Sequence, residues 1–148
     1  MLKPNDKAPS FELQDQEGIT HRLSEYKGKI VLYFYPKDDT PGCTKEACNF
    51  RDDFSEFKEK WIAVIGISAD TVEKHKKFQE KYSLPFTLLS DLIKETIKKY
   101  EAYGEKKFMG KTYFGIKRMT FLIEDGIIKK IYPKVNVSEH SKEILEFF

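Results

Sequence analysis

Two thiols carry the chemistry that this sequence can do. Cys43 and Cys48 are its only cysteines; Cys43 follows directly on Thr40-Pro41-Gly42, and Cys48 stands five residues further on. Thr40 is a suitable helix cap and Pro41 a favoured first helical residue, so a helix is expected to begin here. Cys43 then falls in the first turn. Backbone N–H groups there lack intrahelical partners, and the helix dipole presents ~+0.5 charge at that end. Both favour an anionic sulfur, the form of cysteine that acts as a nucleophile. The position is the one a capping-box Glu or Gln usually takes. Beside this reading stands a plainer one, that Cys43 is a small buried apolar side chain. A metal site is poorly served, because C-x4-C has no nearby His or second pair and His21, His75 and His140 are scattered. The C-x-x-C of a thioredoxin-type oxidoreductase is absent. A Cys-His hydrolase would need a His from a distant part of the chain.

Helical geometry constrains the pair further. Five residues place Cys48 ~140° around the axis from Cys43 and ~7.5 Å along it. The Cα atoms would be ~8.7 Å apart, beyond the ~7 Å that a disulfide spans. If the two sulfurs pair, at least one helical turn must open. Cys43 itself lies within ~40° of an apolar stripe made by Ala47, Phe50, Phe54, Phe57 and Trp61, so it is expected to face the core.

The elements that position this helix are strands. Lys29–Tyr35 and Trp61–Ser68 are nearly continuous apolar runs, as strands covered on both faces are. Strand, helix, strand in this order implies a right-handed crossover and a parallel pair. The loop from Pro36 to Gly42 then lies at the carboxyl end of a parallel strand, where open α/β sheets place their sites. Phe11–Leu13 and Ile19–Leu23 flank Gly18 as a short hairpin. A second helix is expected from Thr71 to Tyr82, with Val72, His75 and Phe78 on one face. Thr87–Ser90 reads as a strand and Leu92–Tyr100 as a helix capped by Asp91. Residues 102–118, with three glycines, read as a loop. Met119–Glu124 and Ile127–Tyr132 flank Asp125-Gly126, a strong hairpin signal. Ser138–Phe148 closes the chain as a helix. The fold class is α/β: a central mixed sheet flanked by helices, the thioredoxin-like arrangement, in a single domain over 1–148.

Composition supports this and excludes other classes. The 148 residues are 40% apolar and 34% charged, enough for a core that needs neither a disulfide scaffold nor a structural metal. Net charge is +2, too mild to point to nucleic acid. Residues 94–118 hold 8 basic and 3 acidic side chains, read as a solvated surface without base-stacking motifs. No run approaches the ~20 apolar residues of a membrane span. The first residues contain no apolar leader, so a cytoplasmic location is expected. In that compartment the two cysteines are thiols at rest and any disulfide is transient.

The segment Tyr33-Phe34-Tyr35-Pro36-Lys37-Asp38-Asp39-Thr40-Pro41-Gly42-Cys43-Thr44 resembles the active-site segment of the peroxiredoxins, Pro-x-x-x-Thr-x-x-Cys. Glu46-Ala47-Cys48 places the second cysteine as in the peroxiredoxin Q, or bacterioferritin comigratory protein, subfamily. The similarity extends through Leu84-Pro85-Phe86, Leu88-Leu89-Ser90-Asp91 and Gly115-Ile116-Lys117-Arg118, and covers about Ala8 to Tyr132.

The resemblance implies a thiol peroxidase for hydrogen peroxide and organic hydroperoxides, with no metal, haem or flavin cofactor. Cys43 would attack the peroxide as a thiolate and become a sulfenic acid. Cys48 would condense with it to a disulfide, which thioredoxin or a similar dithiol would reduce. Thr40 would supply a hydroxyl, and Pro36 would shield the sulfur. Arg118 matches the family's arginine, whose fork of donors can hold thiolate and peroxide together. Strand neighbours point to opposite faces, so Arg118 and Lys117 cannot both reach the site. Taken without the resemblance, Arg118 reads as a solvated charge at a strand edge. A monomer is expected, with no nucleic-acid or membrane partner. The alternative is a disulfide oxidoreductase or redox-sensing module built on the same pair; a binding protein using the basic segment is a further one.

Overall fold

The computed structural model describes Met1–Phe148. The strands in chain order are β1 (Glu12–Gln14), β2 (Thr20–Arg22), β3 (Lys29–Phe34), β4 (Ile62–Ser68), β5 (Thr87–Ser90), β6 (Tyr103–Phe108), β7 (Lys111–Ile116), β8 (Met119–Glu124) and β9 (Ile127–Tyr132). The helices are α1 (Pro41–Asp52), α2 (Phe54–Glu59), α3 (Val72–Tyr82), α4 (Glu95–Lys99) and α5 (His140–Phe147). Seven strands form one mixed sheet in the order β2-β1-β5-β4-β3-β8-β9. Its centre, β3-β4-β5, is parallel, and the flanking pairs are antiparallel. No helix is long and apolar enough to cross a membrane.

β3 shows why the sheet is covered on both sides. Val31 and Tyr33, with Tyr35 just beyond the strand, face one core; Ile30, Leu32 and Phe34 face the other. All six are almost completely buried, as period-two alternation between two apolar layers requires. Ala47 and Phe50 of α1, Phe57 of α2, Phe78 of α3 and Ile144 of α5 pack on the Tyr33 side. Ile97 of α4 and the adjacent Tyr100 pack on the Phe34 side with Phe121. The connection from β3 through α1 and α2 to β4 joins a parallel pair, as expected, and the register pairs Lys29 with Ile62 through Phe34 with Ile67.

Three expectations need correction. The stripe from Ala47 does not run to Trp61. The helix breaks at Asp53, and Trp61 is exposed with φ of +59°. The chain must reverse there to enter β4, and its N–H closes on the Lys58 carbonyl at 3.1 Å. Residues 102–118 are not a loop but largely the β6–β7 hairpin, a separate two-stranded sheet. Its turn residues Met109 and Gly110 both have positive φ (+51° and +78°), the conformation of a tight two-residue hairpin turn. Both of its faces are largely exposed, including Phe108 and Phe114, so no alternation of polarity marks the strands. Finally, α4 covers only Glu95–Lys99. Its N-cap is Lys94, in the left-handed conformation, and not Asp91. Asp91 acts from further back, its Oδ2 accepting from the Ile97 N–H at 2.8 Å, and Leu92 and Ile93 are exposed before the first turn.

Candidate active site

Helix α1 begins where expected. Thr40 has extended backbone angles and Pro41 stands at the first helical position. Cys43 follows in the first turn and is 3% exposed, packed in the core that holds Tyr33 and Phe50. Arg118 reaches it from the segment joining β7 to β8, 75 residues away in sequence. Its Nη2 donates to the Cys43 Sγ at 3.3 Å, and its Nη1 donates to the Glu46 Oε1 at 2.7 Å. One planar guanidinium therefore ties the sulfur to a carboxylate on the same helix face. Gly42 makes room for it, since a Cβ at that position would lie 3.1 Å from the Arg118 Nη2. Lys117 points the other way, its side-chain end lying against Gly104.

The electrostatics follow from burial. Glu46 is fully buried, and desolvation pushes its carboxyl up to about 7 although Arg118 pulls it down. Its Oε2 has no hydrogen-bond partner, consistent with a carboxyl that resists ionisation. Burial disfavours the Arg118 cation, but Glu46 and Cys43 outweigh that, and its pKa rises. Lys106 of β6 feels the same centre. Burial and the Arg118 charge lower it, while Cys43 acts in the opposite sense. Glu46 and Lys106 were not singled out from sequence. Glu46 was legible in principle, because it stands three residues past Cys43, where helical side chains share a face. Lys106 was hidden in the segment read as a loop.

Thr40 is half-buried and its hydroxyl donates to the Lys37 carbonyl at 2.8 Å. It does not bond back into the helix. With its one proton committed, what the hydroxyl offers a neighbour is lone pairs. Pro36 is half-buried at the start of the same loop.

Cys48 is half-buried on α1, and burial pushes its thiol above the ordinary value. Both cysteines lie within one unbroken helix and are unpaired. Past Cys48 the helix is fixed to α5. The Asn49 Nδ2 donates to the Ser138 carbonyl at 3.2 Å, and its Oδ1 accepts from the Ser141 N–H at 3.0 Å. The site thus has an anchored far end, and nearer the loop a first turn whose sulfur faces Arg118.

Known proteins resemble this chain in sequence and in fold. The AhpC/TSA family model matches residues 4–131. The Bacillus subtilis peroxiredoxin Bcp is 51% identical over 98% of this chain and 94% of its own. The Xylella fastidiosa PrxQ has the same fold with a TM-score of 0.92 and 31% identity, covering 99% of this chain and 95% of that one. The Xanthomonas campestris bacterioferritin comigratory protein, known for alkyl peroxide reduction activity, gives a TM-score of 0.87 at 33% identity over 93% of this chain and 88% of that one.

Proposed function

The chain belongs to the AhpC/TSA family and is a peroxiredoxin, a peroxidase with an antioxidant function, and from that premise we propose that Cys43 is the sulfur that breaks the O–O bond. The observation that carries this is the Arg118 contact to the Cys43 Sγ at 3.3 Å. An attacking thiolate gains one S–O bond as the O–O bond breaks. The departing oxygen leaves as hydroxide or alkoxide and takes up a proton to become water or alcohol. The main catalytic need is donors aimed at that developing charge. Arg118 is such a donor, and the N–H groups of the first turn of α1 add to it. Thr40, with its proton on Lys37, accepts from a peroxide O–H and so orients the substrate for in-line attack. Pro36 limits water at the loop.

The product at Cys43 is a sulfenic acid. Cys48 then condenses with it, forming the S–S bond and releasing water. An ideal helix holds the two Cα atoms ~8.7 Å apart, too far for a disulfide, so α1 must unwind between Cys43 and Cys48. The Asn49 bonds to α5 supply a natural stop to that unwinding. Thioredoxin or a similar dithiol returns the pair to thiols by exchange, and its own sulfurs become the disulfide. Hydrogen peroxide and organic hydroperoxides are the substrates, in line with the alkyl peroxide activity of the Xanthomonas relative. Because both redox thiols come from one chain, a monomer suffices, and a reducing compartment such as the cytoplasm keeps it ready.

The test is peroxide consumption by the purified protein with a thioredoxin system. The parent should turn over continuously and Cys43→Ser should be inert. Sustained consumption by Cys43→Ser would remove Cys43 from its role.

A further inference from the structure

A second set of buried polar groups lies behind the loop that delivers Cys43, and the chemistry above leaves it unused. Asp38, Asp70 and His75 are buried together, with a donor atom from each within 4.8 Å of the others. That spacing would suit a cation. Yet the atoms already face partners, and Lys37, Lys74, Lys77 and Lys81 line the cleft over them, which opposes a cation by charge.

The hydrogen bonds describe a clamp instead. The Asp38 Oδ1 accepts from the Tyr35 hydroxyl at 2.6 Å, and its Oδ2 lies 2.6 Å from the His75 Nδ1. The His75 Nε2 is 2.9 Å from the Leu89 carbonyl. A carbonyl can only accept, so Nε2 carries a proton, and a further proton lies between Nδ1 and Asp38. The Asp38 backbone N–H donates to the Asp70 Oδ2 at 2.8 Å, and the Ser68 hydroxyl donates to the same oxygen. Asp38 is therefore held at its backbone and at both carboxyl oxygens.

Asp38 is also two residues from Thr40, in a stretch that needs holding. Asp39 has φ of +57°, a left-handed conformation that costs a non-glycine residue about 1 kcal/mol or more and persists only where the surroundings impose it. The Asp39 carboxylate is tied outside to Lys81 and Tyr82, and Asp38 is tied inside to His75. Between them they set the direction in which the chain reaches Thr40.

We propose that Asp38 and His75 are a positioning pair that aims the Thr40 hydroxyl at the peroxide approaching Cys43. This rests on the peroxidase mechanism given above and touches its first step only. Displacing a positioning group by ~1 Å can cost ~10²-fold in rate.

The test compares two reactions of the same sulfur: oxidation by hydrogen peroxide, which uses Thr40, and alkylation by iodoacetamide, which does not. Asp38→Ala should slow peroxide oxidation by about 10²-fold and leave alkylation nearly unchanged. Asp38→Asn should restore most of the rate. Its amide oxygen accepts from Tyr35, and its N–H₂ donates to the Nδ1 of neutral His75, so every partner is kept. Should Asp38→Ala not fold, Tyr35→Phe removes the hydroxyl's bond to Asp38 and its longer contact, 3.5 Å, to the His75 Nδ1, and should slow oxidation roughly fivefold, the worth of about 1 kcal/mol. The pair has no positioning role if Asp38→Ala, or Tyr35→Phe in its place, oxidises as fast as the parent. Equal loss of both reactions, or no rescue by Asp38→Asn, also overturns it. If the parent itself fails to react with peroxide, the fault lies with the mechanism and not with the pair.

Discussion

The Arg118 guanidinium contacts the Cys43 sulfur and the Glu46 carboxylate at once, through two different nitrogens. The sulfur and the carboxylate sit on one helix, three residues apart, and the arginine comes from just before β8, the strand that pairs with β3 and sets Met119 opposite Phe34. This relationship fixes where negative charge can develop in the site and yields the first expectations.

Arg118→Ala removes the donor nearest the sulfur. Stopped-flow oxidation of Cys43 by peroxide should slow by roughly 10²–10³-fold, the usual loss for one donor at a developing charge. Arg118→Lys should recover only part, because an ammonium lacks the planar fork. An unaltered oxidation rate in Arg118→Ala would return this residue to an ordinary surface charge.

Gly42→Ala tests the fit of the guanidinium without removing it. The added methyl would stand 3.1 Å from Nη2, so Arg118 must shift. First-step oxidation should fall on the order of tenfold, with a thermal midpoint close to the parent's. A parental rate would show that the Arg118 position has slack.

Fold and site were legible to different depths. β3 and β4 could be read because burial on both faces makes long apolar runs, and the β8–β9 hairpin because Asp125 and Gly126 both take positive φ. The start of α1 was visible in Thr40-Pro41. The β6–β7 hairpin was not, because strands exposed on both faces have no polarity period to detect. The end of the α1 stripe was missed because a periodic pattern does not mark where a chain must reverse into the next strand. Cys43 and its inward direction followed from helical angles. Its contact with Arg118 did not, since a pairing across 75 residues depends on the whole sheet; only resemblance pointed to it. The donor direction of the Thr40 hydroxyl was likewise set by the loop, through Lys37.

Glu46 predicts a pH dependence of stability. Its folded pKa, about 7, lies above the unfolded value of 4.5. Between these values the folded state holds a proton that the unfolded state has released, so this contribution is full below about 4.5 and is lost as pH rises through about 7. Glu46→Gln cannot titrate. Denaturant unfolding of both proteins at pH 5 and pH 8 should show the parent losing stability relative to Glu46→Gln at the higher pH. A constant difference between the two would mean that Glu46 is ionised throughout.

The central claim is that one sulfur reacts with peroxide and a second closes on it after α1 opens. One equivalent of hydrogen peroxide added to the reduced protein, followed by peptide mapping of the oxidised thiols, tests it directly. The parent should yield a Cys43–Cys48 disulfide, and Cys48→Ser should yield a Cys43 sulfenic acid after one equivalent of product and then stall with thioredoxin. Recovery of Cys43 unmodified, or steady cycling of Cys48→Ser with thioredoxin, would contradict the account.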